Sequence, residues 1–184
     1  MKLKVIFNIF TYILGKQIDT VSDVDLDLYK GKWLQVATSR STKLLGTGVD
    51  YKNVTAEYLC INNCSSNVIS VFNEGINNNN KYTCISGYSY CTNNSVPSKR
   101  KVVFEGVKFE GNYWIVKLGP VVDRKYDYAI VSGPISNLWG TRFSLYVLCR
   151  DKQRYIDNYE NDVKQWCIDN GYIYWWNKYI ETYK

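Results

Sequence analysis

Residues 99–118 read KRKVVFEGVKFEGNYWIVKL, and this stretch favours a β-hairpin. β-branched and aromatic residues fill Lys99–Phe109 and Asn112–Leu118, and Glu110-Gly111 separates the two segments with turn-forming chemistry. Such side chains suit the half-buried, pleated surface of a sheet. The stretch therefore predicts two consecutive antiparallel strands.

The same pattern continues on both sides of the hairpin, and Gly, Asn, Pro and Ser separate the segments. Sequential antiparallel strands of this number can close into a barrel, which removes edge strands and leaves room for one small ligand. A barrel filled by its own side chains stays an alternative. The eight predicted strands are Lys32–Ser39, Asn53–Cys60, Asn67–Asn73, Lys81–Cys91, Lys99–Phe109, Asn112–Leu118, Tyr126–Ser132 and Arg142–Cys149.

The hydrophobic period changes after Arg150, where apolar residues recur at helical intervals. We expect one amphipathic helix at about residues 155–170, ended by Asn170-Gly171. The aromatic segment Tyr172–Trp176 then forms a short final strand or packs along the outside. The apolar positions of the helix are Ile156, Tyr159, Val163 and Trp166. The predicted fold class is all-β with one flanking helix.

Composition narrows the function classes. The 184 residues suit one domain, predicted at 16–184, and no apolar run reaches the roughly 20 residues that a membrane span needs. The chain has no histidine, which removes Ser-His-Asp and Cys-His nucleophile pairs and histidine metal sites. The net charge of +6 is dispersed, with one dense basic cluster at 99–101, so no nucleic acid partner is expected.

The N-terminus resembles a secretory signal. Lys2 and Lys4 precede the apolar stretch Val5–Leu14, and Gly15 comes before polar residues. We expect residues 1–15 to be a signal segment, the alternative being an arm packed on the domain. No cysteine follows the apolar stretch until Cys60, which excludes a lipid-modified N-terminal cysteine.

The cysteine count indicates an oxidising compartment. Six cysteines allow up to three disulfides, and their spacings do not match zinc sites. The prediction is a secreted protein with disulfides, without a metal or cofactor.

Three motifs resemble those of the lipocalin family. Residues 28–33, LYKGKW, resemble the G-x-W motif of the first strand, and Asp123-Arg124-Lys125-Tyr126 followed by Ala129 resembles the second motif. Residues 145–150, LYVLCR, resemble the third motif, which ends in an arginine. Residues 54–58 and 73–75 look most like the bacterial outer-membrane and apolipoprotein D branch. The resemblance implies an eight-stranded calyx that binds hydrophobic small molecules without chemistry.

The resemblance also assigns site residues. It implies that Trp33 and Arg150 meet at the closed end, where the guanidinium lies over the indole as a structural floor. It anchors the second strand with Ala56 and Tyr58 inward, and period 2 then turns a set of side chains toward the interior. The predicted ligand-binding residues are Ala56, Tyr58, Val71, Asn73, Ile85, Val102, Phe104, Tyr113, Ile115 and Tyr146. Leu148 is expected to face inward with them.

Polar members of this set, Tyr58, Asn73, Tyr113 and Tyr146, are candidates for orienting a carboxylate or phosphate head group. Two disulfide pairings follow from the expected faces. Cys149 on the eighth strand could pair with Cys167 on the helix, and a second bridge is expected among Cys60, Cys64 and Cys91, with Cys64–Cys91 as the named pairing.

The expected function is therefore binding and transport of a fatty acid, lysophospholipid or similar amphiphile. Two alternatives stay open: an enzyme that isomerises a bound lipid through Cys60, and a surface protein with a filled barrel. Cys60 has no histidine or nearby cation in the sequence to lower its pKa.

Overall fold

The computed structural model describes residues 18–44, 51–61, 64, 67–137 and 140–183, without the side chains of residues 44, 136, 137 and 140. The predicted signal segment at 1–15 lies outside the described residues.

Eight strands form the wall of a closed barrel, and each pairs antiparallel with the next. Pairing of the last wall strand with the first, for example Cys149 opposite Leu34, closes the wall. The all-β barrel prediction is therefore confirmed. The wall strands are β1 (Gly31–Ser39), β2 (Lys52–Cys60), β3 (Val68–Ile76), β4 (Tyr82–Cys91), β5 (Lys99–Phe104), β6 (Gly111–Leu118), β9 (Tyr128–Asn137) and β10 (Gly140–Cys149).

Smaller elements surround the wall. The short strands β7 (Val121–Val122) and β8 (Lys125–Tyr126) form a separate hairpin between β6 and β9. Two one-turn helices, α1 (Leu26–Tyr29) and α2 (Arg40–Leu44), flank β1. After the wall come α3 (Lys152–Asn158), α4 (Glu160–Asp169) and β11 (Tyr179–Glu181).

Several boundaries differ from the sequence-based prediction, and β9 ends at Asn137 instead of Ser132. β5 ends at Phe104 instead of Phe109, because Gly106 adopts a φ of +76° in a turn that suits glycine. The single predicted helix is two helices, since the Tyr159 backbone leaves helical geometry while its ring packs on Tyr128 at 5.2 Å. The extra strand is Tyr179–Glu181, paired with the second half of β1, and not Tyr172–Trp176.

Alternation along the strands creates two buried clusters. The outer cluster packs Val147 and Ile130 of the wall against Tyr155, Val163 and Cys167 of the helices. The inner cluster collects the alternate residues in the lower part of the barrel, together with Val24 and with Tyr29 of α1. Helices α3 and α4 therefore cover the outside of the wall, and the interior is lined by the strands and by the segment that leads into β1.

In the part of the chain that the structure describes, no helix is both long enough and apolar enough to cross a membrane.

Candidate functional site

The barrel interior contains the predicted ligand-binding residues. Ala56, Tyr58, Val71, Tyr113 and Ile115 are buried members of the inner cluster, together with Leu148. Val102, Phe104 and Tyr146 pack against that cluster. Asn73 on β3 lies opposite Ala56 on β2 and opposite Ile85 on β4. Because Ala56 faces inward, Asn73 and Ile85 face inward in the same row.

The burial of these side chains decreases toward one end of the barrel. We call the end where β1 begins and β10 ends the floor, and the opposite end the upper end. Asn73, Ile85 and Phe104 lie toward the upper ends of their strands and are only partly buried. An inward-facing side chain of a closed barrel can remain partly accessible only where the interior has space.

Tyr146 is also an inward-facing side chain that is only partly buried, and it lies closer to the floor than Asn73, Ile85 and Phe104. Burial raises the pKa of its phenol, yet part of its surface remains solvent-accessible. A side chain that is both deep and accessible lies beside space inside the barrel. Its hydroxyl has no hydrogen-bond partner among the described residues.

The floor is formed by Arg150 and Trp33. The Arg150 guanidinium lies 3.6 Å from the centroid of the fully buried Trp33 ring. Gly31 has a φ of +99°, and this conformation favours glycine. Desolvation lowers the pKa of Arg150 to about 10. The guanidinium donates to the carbonyl oxygens of Leu28, Tyr29, Lys30, Lys32 and Tyr126.

Three tyrosine hydroxyls above the floor form a hydrogen-bonded chain. Tyr113 donates to Tyr58 at 2.9 Å, and the hydroxyls of Tyr29 and Tyr113 lie 2.5 Å apart. Because each hydroxyl has one proton, Tyr29 is the donor to Tyr113, and the proton of Tyr58 has no acceptor among the described residues. Burial raises the pKa of all three phenols, so they stay neutral donors.

Arg100 also faces the interior, and the sequence-based site did not include it. It shares the inward face of β5 with Val102 and Phe104, lies opposite Tyr113, and is only 2% exposed. Period 2 along β5 predicts this orientation once Val102 and Phe104 are placed inward. In the sequence Arg100 stands out only as part of the dense basic cluster at 99–101, and arginine is rarely fully buried.

Asn73 contributes an unpaired polar atom. Its Oδ1 is buried and has no hydrogen-bond partner in the described structure. An orphaned acceptor costs free energy, and a ligand donor or a water molecule at this point would remove that cost.

The named pairings Cys149–Cys167 and Cys64–Cys91 are wrong, although the bridge expected among Cys60, Cys64 and Cys91 does form. Cys60 forms a disulfide with Cys64, four residues away, and Cys91 is a free, half-buried thiol. Cys149 and Cys167 are free buried thiols in the outer cluster. A disulfide-bonded Cys60 cannot act as a nucleophile, so the observed bond does not favour lipid isomerisation.

One group of metal-ligand types includes the same disulfide. The ligand atoms of Asp27, Cys60 and Cys64 lie within 4.8 Å of one another, with Asp27 exposed. The bond between the two sulfurs removes both thiolates as ligands.

A small cleft of about 160 Å³ lies outside the barrel, between residues 18–21 and α4. Val116, Trp166, Asn170 and Tyr172 form the rest of its lining. It is separate from the inner cluster.

Comparison with known proteins agrees with this architecture. A family model for the lipocalin-like domain matches residues 24–178. The outer membrane lipoprotein Blc of Vibrio cholerae is 36% identical over 129 residues, which cover 68% of each chain. The family resemblance read from the three motifs is confirmed.

Two crustacyanin structures share the fold. Apocrustacyanin C1 superposes with a TM-score of 0.61 at 17% identity, over 87% of this chain and 79% of its own. H1 crustacyanin from the lobster Homarus americanus gives a TM-score of 0.58 at 18% identity, over 85% of this chain and 77% of its own. With the family match, the pairing of the eight wall strands and the Trp33–Arg150 floor, this chain belongs to the lipocalin-like family.

Proposed function

We propose that this protein binds a hydrophobic or amphiphilic small molecule, such as a fatty acid or lysophospholipid, inside its barrel and carries it without chemical change. The observation that carries the proposal is the partial accessibility of inward-facing Phe104, Ile85 and Tyr146 above a fully buried floor. Binding would come mainly from burial of apolar ligand surface, at about 25 cal/mol per Å².

The interior has the composition that such a site needs. Its walls are largely aliphatic and aromatic, and a few polar atoms, among them the Tyr58 hydroxyl and Asn73 Oδ1, are available for orientation. The family membership of the chain supports the same reading.

An oxidising compartment is part of the proposal. The Cys60–Cys64 disulfide supports it, as does the outer-membrane name of the Vibrio cholerae relative.

The test uses N-phenyl-1-naphthylamine, an uncharged apolar fluorophore. We expect saturable binding to the wild type, and a loss of at least about tenfold in affinity for Phe104→Glu, because a carboxylate in the cavity must be desolvated. Val103→Glu is the matched control. Val103 precedes Phe104 on β5, so its side chain points out of the barrel. It pairs with Tyr88 on β4, which is exposed.

Absence of saturable binding to the wild type would contradict the proposal, as would unchanged affinity in Phe104→Glu. Native mass spectrometry of protein purified from an oxidising host gives a second readout. An adduct in the lipid mass range that is released on denaturation supports the carrier function and identifies the chemical class. A clean apo mass combined with no uptake of added fatty acid favours a filled barrel.

A further inference from the structure

We infer that the ligand is an amphiphile with a carboxylate, and that this carboxylate binds Arg100 and Tyr58 near the floor of the barrel. The inference rests on the proposed function and adds the charge and the orientation of the ligand.

The first observation is a buried cation without a counter-ion. Arg100 is 2% exposed, and no carboxylate among the described residues lies within 4.0 Å of it. Burial lowers its pKa, and the groups that act against this shift are Cys91, Tyr113 and Tyr29, none of them a carboxylate. A buried charge is costly unless it is paired, so an anion brought by a ligand would be stabilised here.

The second observation is that only some of the N–H donors of the Arg100 guanidinium form hydrogen bonds. Its Nε donates to Ser89 Oγ at 3.1 Å, and its Nη2 donates to the backbone oxygens of Asn67 at 2.7 Å and Ser89 at 3.1 Å. These acceptors are all neutral. Nη1 donates to no acceptor within the described ranges, which leaves two N–H groups on a buried cation.

The third observation is the direction of the tyrosine chain. Tyr29 donates to Tyr113 and Tyr113 donates to Tyr58, so the spare proton of the chain is on Tyr58. Tyr113 lies directly opposite Arg100 on the neighbouring strand. The lower interior therefore has spare donors on a cation and on a phenol, and a carboxylate is a pure acceptor that matches them.

The distribution of apolar side chains gives the orientation. Val102 and Phe104 continue the inward face of β5 above Arg100, toward the upper end. Ile85 and Tyr146 line the same partly accessible region. An acid bound by its head group at Arg100 would extend its chain along these residues.

The experiment compares ligands of matched length that differ in charge. Displacement of N-phenyl-1-naphthylamine is measured at pH 7.5 with decanoate, 1-decanol and decylamine. We expect decanoate to bind the wild type at least about tenfold more tightly than 1-decanol, the range of a charge-assisted hydrogen bond. Decylamine should bind most weakly, because it would bring a second cation to Arg100.

Two variants test whether Arg100 and Tyr58 cause the preference for decanoate over 1-decanol. Arg100→Met should bind decanoate and 1-decanol with a ratio near one. Tyr58→Phe should reduce the ratio by a smaller factor. Lys101→Met is the control, since Lys101 lies next to Arg100 on the opposite face, where it donates to Asn112, and it should keep the full preference.

The outcomes separate this inference from the proposed function. Equal affinities of the wild type for decanoate and 1-decanol would overturn the inference alone, and this comparison stands even if Arg100→Met fails to fold. An acid preference that persists in folded Arg100→Met would also overturn it. Displacement by acetate at the concentrations that suffice for decanoate would overturn the assignment to an amphiphile. Failure of the fluorophore itself to bind would overturn both proposals.

Discussion

The guanidinium of Arg150, the first residue after β10, lies over the ring of Trp33, the third residue of β1, with 3.6 Å between its central carbon and the ring centroid. The indole Nε1 donates to the carbonyl oxygen of Tyr29, and Arg150 Nη2 donates to the same oxygen. One backbone carbonyl is therefore shared by the two side chains that close the barrel, and it fixes the chain segment that enters β1.

This arrangement predicts that Arg150→Lys destabilises the fold. A lysine has no planar fork with which to reach several carbonyl oxygens, so we expect the free energy of unfolding to fall by about 2 kcal/mol. Urea denaturation measures the change. Arg142→Lys is the control, because Arg142 also lies over an indole, that of Trp176 at 4.8 Å, but near the upper end of β10 and away from the floor. Equal losses in both variants would contradict a special role for the floor.

The unpaired acceptor of Asn73 predicts a stabilising substitution. Asn73→Leu removes a buried polar atom that has no partner among the described residues, and we expect the ligand-free protein to gain about 1 kcal/mol. Asn112→Leu is the opposite case, since its amide accepts from Lys101 at 2.8 Å and donates to Pro134 at 2.7 Å. That variant should lose stability. Denaturation midpoints of the two variants should therefore move in opposite directions from wild type.

Glu74 predicts a contribution to stability that depends on pH. Hydrogen bonds from Lys32, Thr55 and Tyr82 lower the pKa of its carboxyl from 4.5 to about 2. A carboxyl whose pKa is depressed in the folded state stabilises the fold above its ordinary pKa, and this contribution is lost as the pH falls toward the folded value.

We therefore expect Glu74→Gln to be less stable than wild type at pH 6, and the difference to shrink between pH 4.5 and pH 2. Urea denaturation across this range checks it. Glu105→Gln, at an exposed residue of the β5–β6 turn, is the control variant. A difference for Glu74→Gln that is constant with pH would contradict the assignment.

The cysteines predict an ordered thiol titration. Exposed Cys84 should react with a disulfide reagent in the native protein, and half-buried Cys91 should react more slowly. Burial raises the pKa of Cys149 and of Cys167 to about 12, so these two thiols should react only on unfolding. Denaturant without reductant should release four thiols, since Cys60 and Cys64 are bonded. Six thiols under that condition would contradict the disulfide.

Most of the wall could be predicted from local pattern. The alternation of apolar and polar residues and the turn residues between segments located all eight wall strands to within a few residues. The same alternation determined the faces, because successive side chains of a strand must point to opposite sides. The inward placement of Tyr58 and Ile115 follows from this alternation once the family motif anchors the second strand.

The predicted element boundaries were wrong where a contact between residues distant in sequence determines the backbone conformation. The Tyr159 ring packs on Tyr128 and interrupts the helix, although the apolar spacing from Ile156 to Trp166 is continuous. β11 forms at residues 179–181 because the second half of β1 has a free edge there, since β2 pairs only with its first half.

The sequence by itself determined the eight wall strands and their alternating faces, because these follow from periodicity, whereas the inward side of each strand and the meeting of Trp33 with Arg150 follow from the resemblance of its motifs to the lipocalin family. Only the tertiary structure decided which cysteines meet, where the helix breaks, and that Arg100 is a buried cation with unused donors. Each of these depends on distances between segments far apart in sequence. The burial of a side chain and its ion pairing depend on the closed barrel. No local sequence pattern predicts whether an inward-facing arginine lies beside a carboxylate.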